Sequence, residues 1–304
     1  MPIKGIIPPL ITPLNKNNEL DSQGLRNLIE HVLDGEVHAL FVLGTTGEGP
    51  SLCHSIRKQM VTETCAIVDK RVTVLVCITD TSFVESLELA RHAKNVGADF
   101  LVLAPPYYYP ISQTEMQSYL KVLAPQLPLP FLMYNMPGCT KLHLSLETVK
   151  IAKDLGAIGI KDSSGDREYL MALVEEFKQD QGFSIITGNE AFLPELIEKG
   201  GHGTVAGGAN FFPKLFVALF NACGSQNSEA ITKHLDRVKW ISNTIYNIGN
   251  EESRYVKATK STLAAMGLCE DYSSLPIQRY GEAEKAQLQN YLAEFNYEDE
   301  YPAK

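Results

Sequence analysis

Eight short apolar segments, each followed by a longer stretch with helical periodicity, constrain the fold of this chain more than any other sequence feature. The segments are strand-sized and recur at spacings of roughly 25–35 residues. They occupy positions 5–8, 39–43, 72–77, 100–103, 130–134, 157–160, 183–186 and 203–206. Nearly continuous apolar strands are covered on both faces, as in a parallel sheet. The pattern predicts an α/β fold, a (β/α)8 TIM barrel.

A doubly wound open sheet is the competing architecture. Eight units of similar length, with no dinucleotide-binding glycine motif after the first strand, favour the closed barrel. Beyond the barrel the strand pattern stops, and residues 225–248, 252–266 and 281–293 have helical periodicity. We therefore expect a barrel that carries the active site in 1–224 and a C-terminal helical appendage in 225–304, packed on the barrel and not independent of it.

Charge and composition limit the partners. A net charge of -9 over 304 residues argues against nucleic acid and anionic membranes, although a few local donors can still hold a small anion. No apolar run is long enough for a transmembrane helix, and the first residues lack the pattern of a signal peptide. The six cysteines are scattered without a Cys-x-x-Cys pair. These features predict reduced thiols and a cytoplasmic location.

Polar residues follow several of the predicted strands, and TIM-barrel enzymes place their chemistry at such strand ends. The second strand is followed by Gly-Thr-Thr-Gly-Glu (44–48) and the fourth by Pro-Tyr-Tyr-Tyr-Pro (106–110). The fifth ends in Tyr-Asn-Met-Pro (134–137), the sixth in Lys-Asp-Ser-Ser-Gly (161–165) and the seventh in Thr-Gly-Asn-Glu (187–190). Hydroxyls, a phenol and an amine should therefore lie close together at the C-terminal ends of the strands, which form the mouth of the barrel.

Lys161 is the candidate nucleophile. It comes from the apolar end of a buried strand, where desolvation lowers the pKa of an amine, and a neutral amine can attack a ketone. An ion pair with Asp162 is the alternative. Tyr134 ends the preceding strand, 27 residues earlier, so its phenol could give and take protons at the same mouth, or merely pack there. The turn at 44–47 offers N–H groups for a carboxylate and hydroxyls for a proton relay, or is an ordinary tight turn.

The motifs at 44–48, 106–110, 134–137 and 159–166 together resemble the dihydrodipicolinate synthase/N-acetylneuraminate lyase family, over essentially the whole chain. The resemblance implies class I aldolase chemistry on a (β/α)8 barrel. It also implies that pyruvate is held as an imine, that no cofactor or metal is needed, and that the chain assembles as a homotetramer, a dimer of dimers.

The same resemblance assigns roles to individual residues. Lys161 matches the Schiff-base lysine, and Tyr134 matches the general acid/base tyrosine. Thr45 and Thr46 match the pair that binds the pyruvate carboxylate, with Thr46 expected to provide the link to the tyrosine.

Further positions follow from the resemblance. Tyr108 best matches a tyrosine that reaches into the neighbouring subunit's site, with Tyr107 as the alternative. Val205 matches the position whose backbone lines bound pyruvate, and Gly188 matches the glycine that ends the seventh strand. Ser163, in the sixth-strand motif, completes this set of substrate-binding candidates.

Departures from the family pattern bear on the aldehyde partner. Cys139 stands where dihydrodipicolinate synthases have an arginine that clamps a carboxylate, and Lys141 is the nearby cation that could replace it. Asn189 and Glu190 align with an Asp-Glu pair of neuraminate lyases, so Glu190 could accept hydrogen bonds from a polyol. Gly207, however, replaces a sugar-binding serine of those lyases.

We therefore predict a lyase for a sugar-derived 2-oxo acid, N-acetylneuraminate lyase-like or 2-keto-3-deoxy sugar acid aldolase-like. The alternative is 4-hydroxy-tetrahydrodipicolinate (dihydrodipicolinate) synthase. An inactive 2-oxo-acid-binding sensor would not need Lys161, Tyr134 and Thr46 together. A metal-dependent aldolase is disfavoured because no histidines are paired at metal-ligand spacing.

Overall fold

Eight parallel strands form the centre of the molecule in the computed structural model, which describes residues 3–301 without the side chains of residues 298 and 299. The strands are β1 Gly5–Ile7, β2 Ala39–Val42, β3 Thr73–Cys77, β4 Phe100–Leu103, β5 Phe131–Asn135, β6 Ala157–Asp162, β7 Ser184–Thr187 and β8 Gly203–Val205. All eight predicted strands are present. The predicted sixth strand stopped at residue 160, whereas β6 continues through Lys161 and Asp162.

Helices alternate with these strands and then continue beyond them. The helices are α1 Ser22–Asp34, α2 His54–Val68, α3 Phe83–Asn95, α4 Gln113–Leu123, α5 Pro137–Thr140, α6 Leu146–Asp154, α7 Arg167–Phe177, α8 Leu193–Glu198, α9 Pro213–Gly224, α10 Ser228–Asn243, α11 Arg254–Ala265, α12 Glu282–Phe295 and α13 Tyr297–Glu300. Across residues 3–301, no helix combines the length and apolar character needed to cross a membrane.

The sheet closes on itself. Its strands run in the order β1-β8-β7-β6-β5-β4-β3-β2. The remaining seam, between β1 and β2, is joined just past the end of β1. There the Phe41 N–H donates to the Pro8 carbonyl at 3.0 Å, and the Leu10 N–H donates to the Phe41 carbonyl at 2.8 Å. The prediction of a (β/α)8 barrel is confirmed, and the doubly wound alternative is wrong.

Local sequence explains where the outer helices begin and which face they bury. Asp21 caps α1 by accepting a hydrogen bond from the Gly24 N–H at 2.9 Å. The buried side chains of α1 recur at helical spacing, which gives it one apolar face toward the barrel. Asp166 caps α7 in the same way, accepting from the Tyr169 N–H at 3.0 Å. This cap fixes the start of α7 at Arg167.

The helices after the barrel contact the loops at the strand ends. Lys260 of α11 is fully buried and forms an ion pair with Glu48, which follows β2. At the end of α12, the Phe295 ring stacks on Phe212 with 4.7 Å between centroids. Residues of α11 therefore lie close to the mouth where the chemistry of such barrels takes place.

Candidate active site

Lys161 lies within β6, between Tyr134 of β5 and Ile186 of β7 in the strand register. Only 7% of the lysine is exposed. Its Nζ lies 4.1 Å from the centroid of the Tyr134 ring and 4.9 Å from that of Phe41. Two aromatic faces, instead of solvent, therefore surround the amine.

The alternative ion pair with Asp162 is wrong. Side chains alternate along a strand, so Asp162 points away from its neighbour. Its carboxylate accepts a hydrogen bond from Asn135 Nδ2 at 2.7 Å and one from the Ser164 hydroxyl at 3.0 Å. Among the described residues, no carboxylate lies within ion-pairing distance of the Lys161 amine.

Burial makes this amine a nucleophile near neutral pH. Desolvation lowers the pKa of Lys161 from its usual 10.5 to about 7, while the nearby thiols of Cys77 and Cys139 act in the opposite direction. At pH 7 a substantial fraction of the amine is therefore uncharged. An uncharged lysine amine next to a cavity can attack a carbonyl carbon.

Tyr134 lies beside the lysine and is almost fully buried. Its hydroxyl lies 3.2 Å from the Thr45 Oγ1, so the two groups share a hydrogen bond. Desolvation raises the pKa of Tyr134, and hydrogen bonds with the Thr45 and Ser163 hydroxyls partly oppose that rise. The phenol therefore keeps its proton at neutral pH. The Thr45 hydroxyl in contact with it can act as hydrogen-bond donor or acceptor.

The link to Tyr134 was expected through Thr46, but the structure gives that contact to Thr45. Thr46 is buried, and its side chain is near enough to the Tyr255 hydroxyl to act against the rise in the pKa of that phenol. The reason is the tight turn between β2 and α2, in which Leu43 and Glu48 both have left-handed backbone conformations. Adjacent residues in such a turn point in different directions.

Three consecutive tyrosines follow β4. Tyr108 and Tyr109 are 69% and 74% exposed, and their rings meet edge to face. Tyr107 instead lines a cavity beside Tyr134, and burial raises the pKa of its hydroxyl. Tyr108 of the same chain is thus directed away from the lysine, whereas Tyr107 is directed toward the mouth.

The candidates after β7 line a different cavity from Cys139. Asn189 accepts a hydrogen bond from the Ala191 N–H at 3.1 Å and is used as a turn cap. At Gly188, an added Cβ would lie 1.9 Å from the Ser163 hydroxyl, so the close approach of β6 and β7 requires a glycine. Val205 ends β8 and is buried.

Glu190 lies at the edge of a cavity on the β6–β7 side of the mouth, with its carboxyl held by neighbouring groups. It is buried, and its Oε1 accepts hydrogen bonds from the Gly208 N–H at 2.9 Å and from the Tyr246 hydroxyl at 3.0 Å. Desolvation raises its pKa to about 7. Tyr246 and Tyr255, which surround it, carry no motif and come from the C-terminal helical region. The sequence analysis therefore missed them. The only sequence feature that pointed to a change around Glu190 was Gly207, where neuraminate lyases have a serine.

A first cavity of about 500 Å³ opens beside Tyr134. It is lined by Leu43, Gly44, Thr45, Glu48, Pro50, Ser51, Cys77, Thr79, Ala104, Tyr107, Tyr134, Met136, Cys139, Thr140, Glu252, Ser253, Val256 and Ile277. Lys161 is absent from this lining, and its Nζ lies 4.1 Å from the centroid of the Tyr134 ring, which is part of it. None of these described lining residues is a lysine or an arginine.

A second cavity of about 550 Å³ lies on the β6–β7 side of the mouth. It is lined by Ser163, Ser164, Gly165, Gly188, Asn189, Glu190, Ala191, Val238, Lys239, Ser242, Asn243, Tyr246 and Tyr255. No residue lines both cavities. Hydroxyls and amides dominate the second cavity, whereas the first is mostly apolar.

The cation that could have replaced the missing arginine is engaged elsewhere. Lys141 Nζ donates a hydrogen bond to the Tyr108 carbonyl at 3.0 Å and does not line the first cavity. Cys139 does line it. Within residues 3–301, no group of three or more histidines, cysteines or acidic residues is arranged to hold a metal ion.

A (β/α)8 barrel with a desolvated lysine on β6 and a phenol beside it on β5 is the arrangement of a Schiff-base aldolase. The sequence matches the Dihydrodipicolinate synthetase family over residues 2–295. The chain belongs to this family of class I aldolases, and it is an enzyme, a carbon–carbon lyase. These two predictions are confirmed.

Individual relatives agree with this assignment. The chain is 31% identical to a 4-hydroxy-tetrahydrodipicolinate synthase from Bartonella bacilliformis, over 90% of this chain and 92% of that protein. It is 44% identical to the dihydrodipicolinate synthase structure from Bacteroides thetaiotaomicron, with a TM-score of 0.93 over 97% and 99% of the two chains. YagE, a prophage protein of this family from E. coli K12 solved with pyruvate, is 28% identical with a TM-score of 0.91, over 97% and 99%.

Proposed function

We propose that the chain is a pyruvate-dependent class I aldolase that holds its substrate as an imine on Lys161. The observation that carries this proposal is the buried amine, 4.1 Å from the Tyr134 ring centroid and with a pKa lowered to about 7. The pyruvate bound to the E. coli relative supports the choice of 2-oxo acid. No cofactor is needed for this chemistry.

Each step can be assigned to a side chain. The neutral Lys161 amine attacks the ketone carbon of pyruvate, and the ketone oxygen takes up a proton supplied by Tyr134. Tyr134 recovers its proton from the attacking nitrogen, and a second proton from that nitrogen, passed on by the same phenol, lets the oxygen leave as water and gives the imine. Loss of a methyl proton then forms an enamine, whose carbon adds to an aldehyde. Hydrolysis releases the product and restores the amine.

Tyr134 and Thr45 form the proton-transfer pair in this proposal. A phenol that keeps its own proton at neutral pH can donate it and recover it through a hydrogen-bonded hydroxyl. The contact of 3.2 Å between the two oxygens supports Thr45 as that partner. Thr46, first expected in this role, is instead proposed to hold the loop through Tyr255.

The remaining candidates are proposed to bind the substrate. Thr45 and the N–H groups of its loop bind the pyruvate carboxylate. Val205 and Gly188 line the bound pyruvate from the ends of β8 and β7, with Ser163 beside them. Exposure of 69% in the single chain supports Tyr108 as the tyrosine that enters a neighbouring subunit's site in a homotetramer.

The names of the relatives favour 4-hydroxy-tetrahydrodipicolinate synthase over the predicted sugar-acid lyase. We therefore propose aspartate semialdehyde as the first aldehyde to assay. Cys139 in the first cavity leaves the carboxylate of that aldehyde without a cationic partner there, so turnover should be slow. A cytoplasmic location is part of the same proposal.

Trapping with borohydride tests the imine directly. Incubation with pyruvate and borohydride should add one reduced pyruvyl group, located at Lys161 by peptide mass spectrometry. Lys161→Arg should abolish the adduct, whereas Lys121→Arg on the exposed face of α4 should retain it. An adduct on another lysine, or none in the wild type under conditions that trap known imine enzymes, would refute the proposal.

A further inference from the structure

The space beside Gly207 is already filled. A Cβ added at this glycine would lie 1.6 Å from the Tyr255 hydroxyl oxygen and 3.3 Å from that of Tyr246. The backbone of Gly207 has φ -66, so the position needs a glycine for lack of room and not for backbone freedom. The phenol of Tyr255 therefore takes the place that a side chain at position 207 would occupy.

The same two tyrosines also lie beside the Glu190 carboxyl. The Tyr246 hydroxyl donates to its carboxyl at 3.0 Å, and the Tyr246 and Tyr255 rings are 4.6 Å apart between centroids. The Tyr255 hydroxyl also lies near the Thr46 side chain, which acts against the rise in the pKa of that phenol. Both of these bonds to the Glu190 carboxyl, from the Gly208 N–H and from the Tyr246 hydroxyl, end on Oε1, so they leave the acceptor sites of Oε2 for a hydroxyl that enters the second cavity.

Tyr255 lies where its helix passes from one cavity to the other. Both tyrosines line the second cavity, whereas Val256, the next residue of α11, lines the first cavity together with Thr45 and Tyr134. Tyr255 is close enough to Tyr134 to raise its own pKa electrostatically. An aldehyde that enters from the first cavity meets the enamine next to Tyr134 without reaching the polar groups around Glu190.

We propose that Tyr246 and Tyr255 form a partition that determines which aldehydes the enzyme accepts. The aldehyde partner lies in the mostly apolar first cavity, on the Cys139 side, and a polyhydroxylated tail that would need Glu190 is excluded. This proposal rests on the proposed imine chemistry and specifies its acceptor class.

Removing the partition should change acceptor preference. With pyruvate as the donor, we would measure kcat/KM for two aldehyde acceptors. One is propanal, and the other is erythrose, a four-carbon polyhydroxy aldehyde. Tyr255→Ala should raise the erythrose-to-propanal ratio at least about tenfold, since it joins the cavities. Tyr255→Phe keeps the ring and should leave the ratio within about twofold. Tyr246→Ala provides a second opening if Tyr255→Ala does not fold.

A second readout does not depend on catalysis. Crystals of the wild type and of the alanine variants would be soaked with erythritol, which cannot form an imine. In the alanine variants the polyol should extend from Glu190 into the first cavity, whereas in the wild type it should not cross from one cavity to the other. Erythritol that spans both cavities in the wild type would overturn the partition, as would an unchanged ratio in both alanine variants or an equal rise in Tyr255→Phe. If pyruvate formed no adduct with the wild type, the imine proposal alone would fail, and the soak would still decide the partition.

Discussion

Replacing the buried lysine should make the protein more stable at neutral pH, and the gain should shrink as the pH rises. In the folded protein, burial lowers the pKa of Lys161 from 10.5 to about 7. The unfolded chain therefore binds more protons at this site between pH 7 and 10.5. Stability of the wild type rises with pH in that window and is insensitive to this group below and above it. Lys161→Met removes the dependence.

The size of the effect follows from the two pKa values. At about 1.36 kcal/mol per pKa unit, the ammonium form of Lys161 destabilises the fold by about 5 kcal/mol at low pH. The slope is half of its full value at pH 7, where the folded site is half protonated, and approaches the full value by pH 8. Between pH 7 and pH 9 the wild type should gain about 2 kcal/mol from this residue.

Urea unfolding of both proteins at pH 7, 8 and 9 measures this difference. Pyruvate-free buffer and one protein concentration are needed, because an imine or an altered assembly state would also shift stability. Other groups that titrate in this range are common to both proteins and cancel in the comparison, while Lys121→Met controls for the loss of a lysine side chain. A wild-type-to-variant difference that is the same at pH 7 and pH 9 would show that the Lys161 amine is not desolvated.

Two further substitutions test the first cavity and the link to the C-terminal helices. Cys139→Arg should raise kcat/KM for aspartate semialdehyde about tenfold or more, because a charge-assisted hydrogen bond is worth about 1.5–3 kcal/mol; an unchanged value would mean that the acceptor carboxylate binds elsewhere. Lys260→Met should lower the free energy of unfolding by about 3–5 kcal/mol, since it leaves the buried Glu48 unpaired. Lys58→Met, which breaks the exposed pair with Glu88, should cost under about 1 kcal/mol, and equal losses in urea unfolding would contradict this account.

The barrel was predictable because each of its strands is a local pattern. A buried parallel strand has apolar residues on both faces, and that signal survives in segments as short as Gly203–Val205. The strand ends were less predictable. The sequence placed Lys161 after the sixth strand, but the backbone stays paired through Asp162 because Tyr134 and Asn135 continue the ladder beside it. Polar residues at a strand end do not stop its hydrogen bonds.

Lys161 and Tyr134 were predictable as neighbours because one βα unit separates them and parallel strands align their ends. The choice between Thr45 and Thr46 was not. Both are threonines in one turn, and their directions depend on the left-handed conformations of Leu43 and Glu48. No local preference of the sequence determines which hydroxyl points toward Tyr134.

The acceptor side of the site was harder to predict for a further reason. The strands supply the reacting groups. Tyr246 and Tyr255 instead belong to segments after the barrel, and they lie next to Gly207 in space although they are far from it in sequence. From the sequence alone, Gly207 indicates the loss of a sugar-binding hydroxyl. In the structure, the Tyr255 side chain occupies the space that a side chain at position 207 would fill. If the partition acts as proposed, strand-end motifs of this family report the imine chemistry, and residues beyond the barrel decide the aldehyde.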